Sequence, residues 1–330
     1  MHVRRFTLVV SALLLVGLIG GTTSAQAEPQ ATQVTLRLNW KYTGPHAAYF
    51  LGKELGYFAE EGIDLVLNEG NGSGNTALLV ANRSDMFGLA DAAAVLPAIV
   101  EGLPIVAVAM VSPRSRLAVI ARADSGIQSL DDLHGKQLAV TAGDSLTQIW
   151  PAVVAANNLD ANAIRLVYVD AAAKVPVVLE NRAAALLGAS SDQNFILEAQ
   201  GVPAVTLDFA DYGVNVLNLA IFVHQDTLER DGELIERFLR AVRRSFEALD
   251  ANIEHAGELV AAATPELDPT VALNQTRAYA TQILSPNCPD APLLFNCPAD
   301  WDQTLYLMRE FQGLQTDADA ASFYTNEFLD

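Results

Sequence analysis

Short apolar runs recur along the chain and alternate with segments of helical spacing. Residues 34–38, Val-Thr-Leu-Arg-Leu, alternate apolar and polar side chains, as a half-buried strand does. Residues 86–90 and 184–188 have the composition of buried strands. Residues 231–251 carry apolar side chains three or four positions apart, which predicts an amphipathic helix. This alternation predicts an α/β fold with largely parallel sheets.

The order of the remaining segments predicts two lobes, because 330 residues exceed the usual size of one domain. We predict a discontinuous first lobe from residues 28–112 and 216–330, and a second lobe from residues 113–215. The further predicted strands are 64–67, 105–111, 117–121, 137–140, 164–169, 203–207 and 215–222. The further predicted helices are 47–55, 75–81, 92–100, 146–157, 174–181 and 192–200, with more helices toward the C-terminus.

The first 27 residues have the pattern of a secretory signal peptide. Arg4 and Arg5 precede an apolar run over residues 6–19, and Ala25-Gln26-Ala27 offers a small-x-small cleavage site. The run has about 14 residues, fewer than the ~20 of a membrane-spanning helix. A retained N-terminal anchor is the alternative. With no Cys near the cleavage site, we expect a periplasmic protein that is not a lipoprotein.

The charge and the cysteine content of the chain limit the classes of partner it could bind and the cellular compartment it could occupy. The chain has 20 basic and 39 acidic residues, a formal net charge of −19, which argues against nucleic acid or an anionic membrane as a partner. Cys288 and Cys297 are close in sequence, and an exported chain with two such Cys predicts one local disulfide. Two thiols without a nearby His do not make a zinc set, so we predict no metal site.

Polar and aromatic residues gather where the first predicted strand ends. Asn39, Trp40 and Tyr42 follow residues 34–38 directly, and ligands of open α/β sheets bind at such carboxyl ends. The flat face of Trp40 suits stacking of a planar heterocycle, and Asn39 supplies amide donors and an acceptor. The alternative for Trp40 is a packing role between lobes.

Two motifs carry a resemblance to a known family. Residues 39–46, Asn-Trp-Lys-Tyr-Thr-Gly-Pro-His, precede Gly-Tyr-Phe-Ala-Glu-Glu-Gly-Ile-Asp at residues 56–64, and residues 133–140 contain Leu-x-Gly-Lys-x-x-Ala-Val. Together they resemble solute-binding proteins of ABC importers, in the branch of sulfonate and nitrate binders and relatives of the thiamine-pyrimidine synthase. The resemblance covers nearly the whole chain. It implies a type II-like periplasmic binding protein, with a hinged cleft between two lobes, each a mostly parallel sheet flanked by helices.

The resemblance adds candidates in the first lobe. It places His46 near the start of the first helix, facing the cleft, with a solvated or capping His as the alternative. The Gly-rich residues 70–76 correspond to the family's second loop and can aim backbone amides at an anion or carbonyl, with Ser73 and Asn75 as contacts; a flexible turn is the alternative. Asp91 follows a strand, where it would cap the next helix or accept a ligand N–H.

In the second lobe the candidates are Trp150, Ser190 and Asp192. Trp150 lies in the helix predicted over residues 146–157, where it would either pack on its sheet or complete a two-Trp sandwich around a flat ring. Ser190 and Asp192 follow the strand predicted over residues 184–188. These candidates would close the cleft from the side opposite Trp40.

The resulting expectation is a non-enzymatic receptor that delivers a small molecule to an inner-membrane ABC permease. The aromatic side chains favour a planar heterocycle, either a thiamine pyrimidine precursor or a riboflavin-like molecule. A sulfonate- or nitrate-type anion is the alternative, weakened because Arg114 and Arg116 are the only nearby Arg candidates. A pyrimidine-synthase-like enzyme and a receptor linked to a sensor kinase are further alternatives. We expect a monomer without a cofactor.

Overall fold

Two five-stranded sheets form the centre of the protein, as seen in a computed structural model that describes residues 31–329. The predicted signal peptide lies outside the described residues. The described residues form one compact unit. We call each sheet with the helices packed on it a lobe: the first lobe contains the N-terminal sheet and the second lobe contains the other.

The first sheet has the strand order β2-β1-β3-β10-β4. Parallel pairing joins β1 to β2 and to β3, whereas β10 is antiparallel to both of its neighbours. Four of its strands therefore share one direction. The strands are β1 (Thr32–Arg37), β2 (Ile63–Asn68), β3 (Phe87–Asp91), β4 (Ile105–Met110) and β10 (Leu219–His224).

The second sheet repeats this arrangement, with the order β7-β6-β8-β5-β9. Here β5 is the antiparallel strand, between β8 and β9, and β6 pairs in parallel with β7 and β8. The chain passes between the sheets twice, after β4 and after β9. The strands are β5 (Leu117–Arg122), β6 (Gln137–Val140), β7 (Arg165–Tyr168), β8 (Ala185–Ala189) and β9 (Ala204–Asp208).

Helices cover the faces of both sheets. The N-terminal ones are α1 (Ala47–Glu54), α2 (Tyr57–Glu60), α3 (Ser73–Ala81), α4 (Ala92–Val100), α5 (Ser145–Ala156), α6 (Lys174–Leu179) and α7 (Gln193–Ala199). After β10 come α8 (Gln225–Arg230), α9 (Gly232–Glu247), α10 (Ile253–Ala263), α11 (Pro269–Ala280) and α12 (Pro298–Gln312). Three-residue and four-residue 3-10 turns fill several connections, including Gly44–His46 before α1.

The two-lobe α/β architecture with mostly parallel sheets confirms the predicted fold class. The apolar stripe of α9 is buried through Ile235, Phe238, Leu239 and Val242, and Phe238 stacks on Phe87 of β3 at a centroid distance of 3.9 Å. The helix predicted over residues 231–251 ends earlier, at Glu247, and a 3-10 turn follows at Asp250–Asn252.

The C-terminal part of the chain contacts both lobes. Helices α9, α10 and α11 pack with α1 or with the turn before it, whereas α12 packs on α4 of the first lobe and α5 of the second. Thr304 of α12 accepts a hydrogen bond from the backbone amide of Leu217, in the second connection between sheets (2.9 Å). The proposed lobe boundaries at residues 112/113 and 215/216 stay a prediction.

Two further features concern export. The sulfur atoms of Cys288 and Cys297 lie 2.07 Å apart, which is the distance of a disulfide bond. Within residues 31–329, none of the helices has the length and apolar character needed to cross a membrane.

Candidate functional site

A cavity of about 70 Å³ lies between the lobes, at the carboxyl ends of strands from both sheets. This is the position at which open α/β sheets bind ligands. The first lobe contributes Asn39, Trp40, Thr43, Pro45, His46, Gly72, Ser73 and Asp91 to the lining. The second lobe contributes Arg116, Leu117, Asp144, Ser145, Leu146, Lys174, Ala189, Ser191, Asp192 and Gln193.

Trp40 is held by the Gly-rich loop that precedes α3. The Gly70 amide donates to the Trp40 carbonyl (2.9 Å), and the Gly72 amide donates to the Asn39 carbonyl (2.8 Å). The expectation of a loop that offers these amides to an anion therefore needs correction, because the first lobe's own backbone already uses them. The loop instead holds residues 39 and 40 in place, and with them the half-buried indole ring of Trp40.

The same loop touches the second lobe at Gly72. This residue has φ of +107°, and a Cβ atom built on it would lie 2.6 Å from the carbonyl oxygen of Gly143. Only glycine meets both conditions without strain. Two residues later, the Gly74 amide donates to the same Gly143 carbonyl (3.2 Å). The lobes thus meet in backbone contact at one edge of the cavity.

His46 is neutral and fully buried, and its ring forms part of the cavity wall. Its Nδ1 accepts from the Thr43 amide (3.3 Å) and its Nε2 lies 3.1 Å from Oδ1 of Asn39. Since Nδ1 accepts, the proton belongs on Nε2 and is donated to Asn39. Burial lowers the pKa of His46 to about 3. The solvated alternative for His46 is wrong, and its ring caps the short 3-10 turn before α1 rather than α1 itself.

Asp91 occupies the N-cap position of α4, but its side chain makes no capping bond. Its Oδ2 accepts from the Ser73 hydroxyl (2.8 Å) instead. Burial raises the pKa of Asp91 to about 6, against hydrogen bonds from Ser145 and Ser73 that lower it. Because Ser145 belongs to the second lobe, its hydrogen bond to the Asp91 side chain joins the two lobes. The same side chain also lines the cavity.

A buried ion pair faces the indole ring from the second lobe. Lys174 Nζ lies 2.6 Å from Asp144 Oδ2 and 3.0 Å from the Leu187 carbonyl oxygen, with both charged side chains almost fully buried. The other oxygen of Asp144 accepts from the Thr147 amide (2.7 Å) and caps α5. The same ammonium lies 4.9 Å from the centroid of the Trp40 ring, within the range of a cation–π contact.

Asp192 brings a third carboxylate to the cavity. Its Oδ1 accepts from Gln275 Nε2 (2.6 Å) and its Oδ2 from Gln193 Nε2 (2.8 Å). Burial raises the pKa of Asp192 to about 7, opposed by the charge of Lys174 and the hydrogen bond from Gln275. Asp192 is therefore close to its titration point at neutral pH.

Four of the predicted ligand contacts lie outside this lining. Tyr42 donates its hydroxyl to the Leu67 carbonyl (2.7 Å), and Asn75 is exposed on α3. Trp150 is buried against Phe209 at a centroid distance of 6.0 Å, so the structure does not bring two Trp rings together. The Ser190 hydroxyl is buried without a partner in the described part of the chain. The structure does gather Asn39, Trp40, His46, Ser73, Asp91 and Asp192 in the cavity wall.

Sequence reasoning missed Lys174 and Gln193. The signal for Lys174 was present, since it is the one charged residue in the apolar stretch 171–179 of a predicted helix. A buried Lys is rare unless it is paired. Gln193 had no comparable signal. Among residues 31–329, no group of three or more His, Cys, Asp or Glu side chains is placed to hold a metal ion.

Most of the chain matches one known protein family. The family model described as "NMT1/THI5 like" matches residues 43–256. A riboflavin-binding protein, RibY, of Chloroflexus aurantiacus is 26% identical over 320 residues, which cover 92% of this chain and 88% of that protein. A formylaminopyrimidine-binding protein of Halalkalibacterium halodurans is 24% identical, covering 77% of each. A 4-amino-5-hydroxymethyl-2-methylpyrimidine phosphate synthase of Legionella pneumophila is 25% identical, covering 90% and 92%.

Solved structures agree with the observed fold. The alkanesulfonate-binding protein SsuA from Xanthomonas axonopodis superposes with a TM-score of 0.69 at 16% identity, covering 91% of this chain and 99% of that one. The periplasmic nitrate-binding protein NrtA from Synechocystis gives 0.65 at 12% identity, covering 91% and 88%. The chain therefore has the fold of periplasmic binding proteins, as the sequence resemblance implied.

Proposed function

The chain belongs to the NMT1/THI5-like family, and from that premise we propose that it is the substrate-binding component of an ABC importer. It captures a small planar heterocycle in the cleft and delivers it to a permease of the inner membrane. A thiamine pyrimidine precursor or a riboflavin-like molecule fits this description. Relatives named for binding riboflavin and formylaminopyrimidine support the class of ligand.

One observation carries the proposal: the Trp40 ring lies in the cavity wall with hydrogen-bonding groups around it. A flat ring stacked on indole gains about 0.5–1.5 kcal/mol beyond the burial of its area. Asn39, Asp91 and Asp192 offer an amide and two carboxyl groups for the polar edge of such a ring. The cavity combines an aromatic surface with a few polar groups, which is the usual composition of a small-molecule site.

The charge of the lining supports a heterocycle over an anion. Among the described residues, the lining contains three carboxyl groups, from Asp91, Asp144 and Asp192, and two cationic side chains, Arg116 and Lys174. Lys174 is already paired with Asp144. A sulfonate or nitrate ion would thus meet more negative than positive charge. The anion alternative rests on Arg116, with the sulfonate- and nitrate-binding neighbours sharing only the fold.

We propose a receptor rather than an enzyme, although several relatives carry a synthase name. The two classes differ in turnover, because a receptor returns its ligand unchanged. We further propose that the protein is exported and monomeric, and that it meets its permease in the periplasm. The predicted signal peptide and the acidic composition support that location and a docking surface of negative charge.

The test is a titration of the protein from Glu28 onward, followed by Trp fluorescence. The ligands are riboflavin, thiamine, a hydroxymethyl- and a formylamino-pyrimidine, taurine and nitrate. We expect saturable quenching by a heterocycle and recovery of that heterocycle unchanged. A response to taurine or nitrate alone would refute the stacking site, and conversion of the bound molecule would refute the receptor.

A further inference from the structure

Gln275 of α11 joins the two lobes beside the ligand cavity. Its side chain is fully buried. Its Oε1 accepts from the Gly44 amide (3.0 Å), in the turn that leads to His46 in the first lobe. Its Nε2 donates to the second lobe, to Asp192 Oδ1 (2.6 Å) and to the Asp192 carbonyl oxygen (3.3 Å). One amide thus connects two walls of the same cavity.

The surroundings leave this amide little freedom. Gly44 packs directly against α11, since a Cβ on Gly44 would lie 2.3 Å from the Gln275 Cβ. The other Asp192 oxygen accepts from Gln193 Nε2, and the Ala189 amide donates to Gln193 Oε1 (2.7 Å). Both oxygens of the carboxylate therefore have amide donors from opposite lobes. Hydrogen bonds to a charged group are net stabilising, so the contact favours the arrangement of the lobes seen in this structure.

We infer that Gln275 is a positioning residue that latches the second lobe onto the first through Asp192, and thereby sets the orientation of the cavity wall. The inference rests on the proposed function for its meaning, since domain closure around a ligand is how periplasmic binding proteins work. Gln275 itself is not among the cavity-lining residues; it acts through Asp192, which is.

Reversal of the donor and the acceptor separates a latch from simple packing. In Gln275→Glu the shape is kept and the Gly44 amide still finds an oxygen, but at pH 9, above the pKa of about 7 of Asp192, two carboxylates now face each other. In the double variant Asp192→Asn/Gln275→Glu, the side-chain amide introduced at position 192 can donate to the new carboxylate, which restores the bond with opposite polarity. Glu254→Gln is the matched control, because it removes the charge of an ion pair between α11 and α10, Arg277 to Glu254 (2.7 Å), within the first lobe.

The measurement is the distance between the lobes, by pulsed electron paramagnetic resonance with spin labels at Glu54→Cys and Glu198→Cys. Both positions are exposed, on α1 and α7. We expect Gln275→Glu to broaden the distribution toward longer distances, the double variant to return it toward the parent, and Glu254→Gln to leave it unchanged. An unchanged distribution in Gln275→Glu, or no recovery in the double variant, would overturn the latch.

A second variant and a second measurement test the same inference. If Gln275→Glu does not fold, Asp192→Ala removes the side-chain acceptor of the same bond from the other lobe and must broaden the distribution. Affinity for the heterocycle that quenches Trp fluorescence should fall about tenfold to a hundredfold in Gln275→Glu. The distance measurement needs no ligand, so a failure of the proposed function would leave the result on the latch readable.

Discussion

The ammonium group of Lys174 lies 4.9 Å from the centroid of the Trp40 indole ring, although the two residues belong to different lobes. Lys174 is anchored by Asp144 and the Leu187 carbonyl, and Trp40 by the Gly-rich loop before α3. Cation–π contacts of this kind contribute about 0.5–2 kcal/mol. The contact therefore ties the surface proposed for ligand stacking to the relative position of the lobes.

Removal of the Lys174 charge should destabilise the fold through Asp144. In Lys174→Met the Asp144 carboxylate stays buried without its ion partner, and breaking one half of a buried pair typically costs about 3–5 kcal/mol. We expect the free energy of unfolding, measured with urea, to fall by that amount. In Lys174→Met/Asp144→Asn most of the loss should return, because Asn still caps α5. Parent-like stability of the single variant would contradict the role of the pair.

His46 should make the protein less stable in acid. Its pKa of about 3 lies below the ordinary 6.5, so the unfolded chain binds a proton that the folded chain does not. This contribution is complete above pH 6.5 and is lost as the pH falls toward 3, at about 1.4 kcal/mol per pH unit. The check is the difference in unfolding free energy between the parent and His46→Gln from pH 7 to 4. A difference independent of pH would contradict the buried neutral imidazole.

Asp91 should act in the opposite direction. Its pKa of about 6 lies above the ordinary 3.8, so the folded chain holds a proton that the unfolded chain has lost. The stabilising effect is complete below pH 3.8 and is lost as the pH rises through 6, a total of about 3 kcal/mol. Asp91→Asn should therefore gain stability relative to the parent between pH 4 and 7. The exposed Asp64→Asn is the control, and equal pH profiles for the two variants would refute the effect of burial.

Trp150 should matter for folding and not for binding. It is buried against Phe209 and lies outside the cavity lining. In Trp150→Leu we expect the free energy of unfolding to fall by about 2–4 kcal/mol, because the smaller side chain leaves a cavity in the packed core. The affinity for the heterocycle should stay within about twofold of the parent value. A large loss of affinity in a stably folded Trp150→Leu would revive the two-Trp sandwich.

The sequence predicted the fold and one wall of the cavity because both depend on local patterns. Hydrophobic alternation placed β1, and the strand end then placed Asn39 and Trp40. Whether a side chain on a helix faces the cavity or the sheet is decided by the elements that pack around that helix. The sequence alone therefore left both positions open for Trp150. Gln275 has no local pattern at all: its partners, Gly44 and Asp192, are 231 and 83 residues away in sequence.

The most direct test of the central claim is the affinity of Trp40→Ala and Trp40→Phe for the heterocycle that the titration identifies, measured by calorimetry. Trp40 is half-buried on a loop, so both variants should fold. We predict a loss of about tenfold to a hundredfold in Trp40→Ala and a smaller loss in Trp40→Phe, because Phe keeps a flat ring for stacking. Affinity equal to the parent in a folded Trp40→Ala would contradict a stacking receptor.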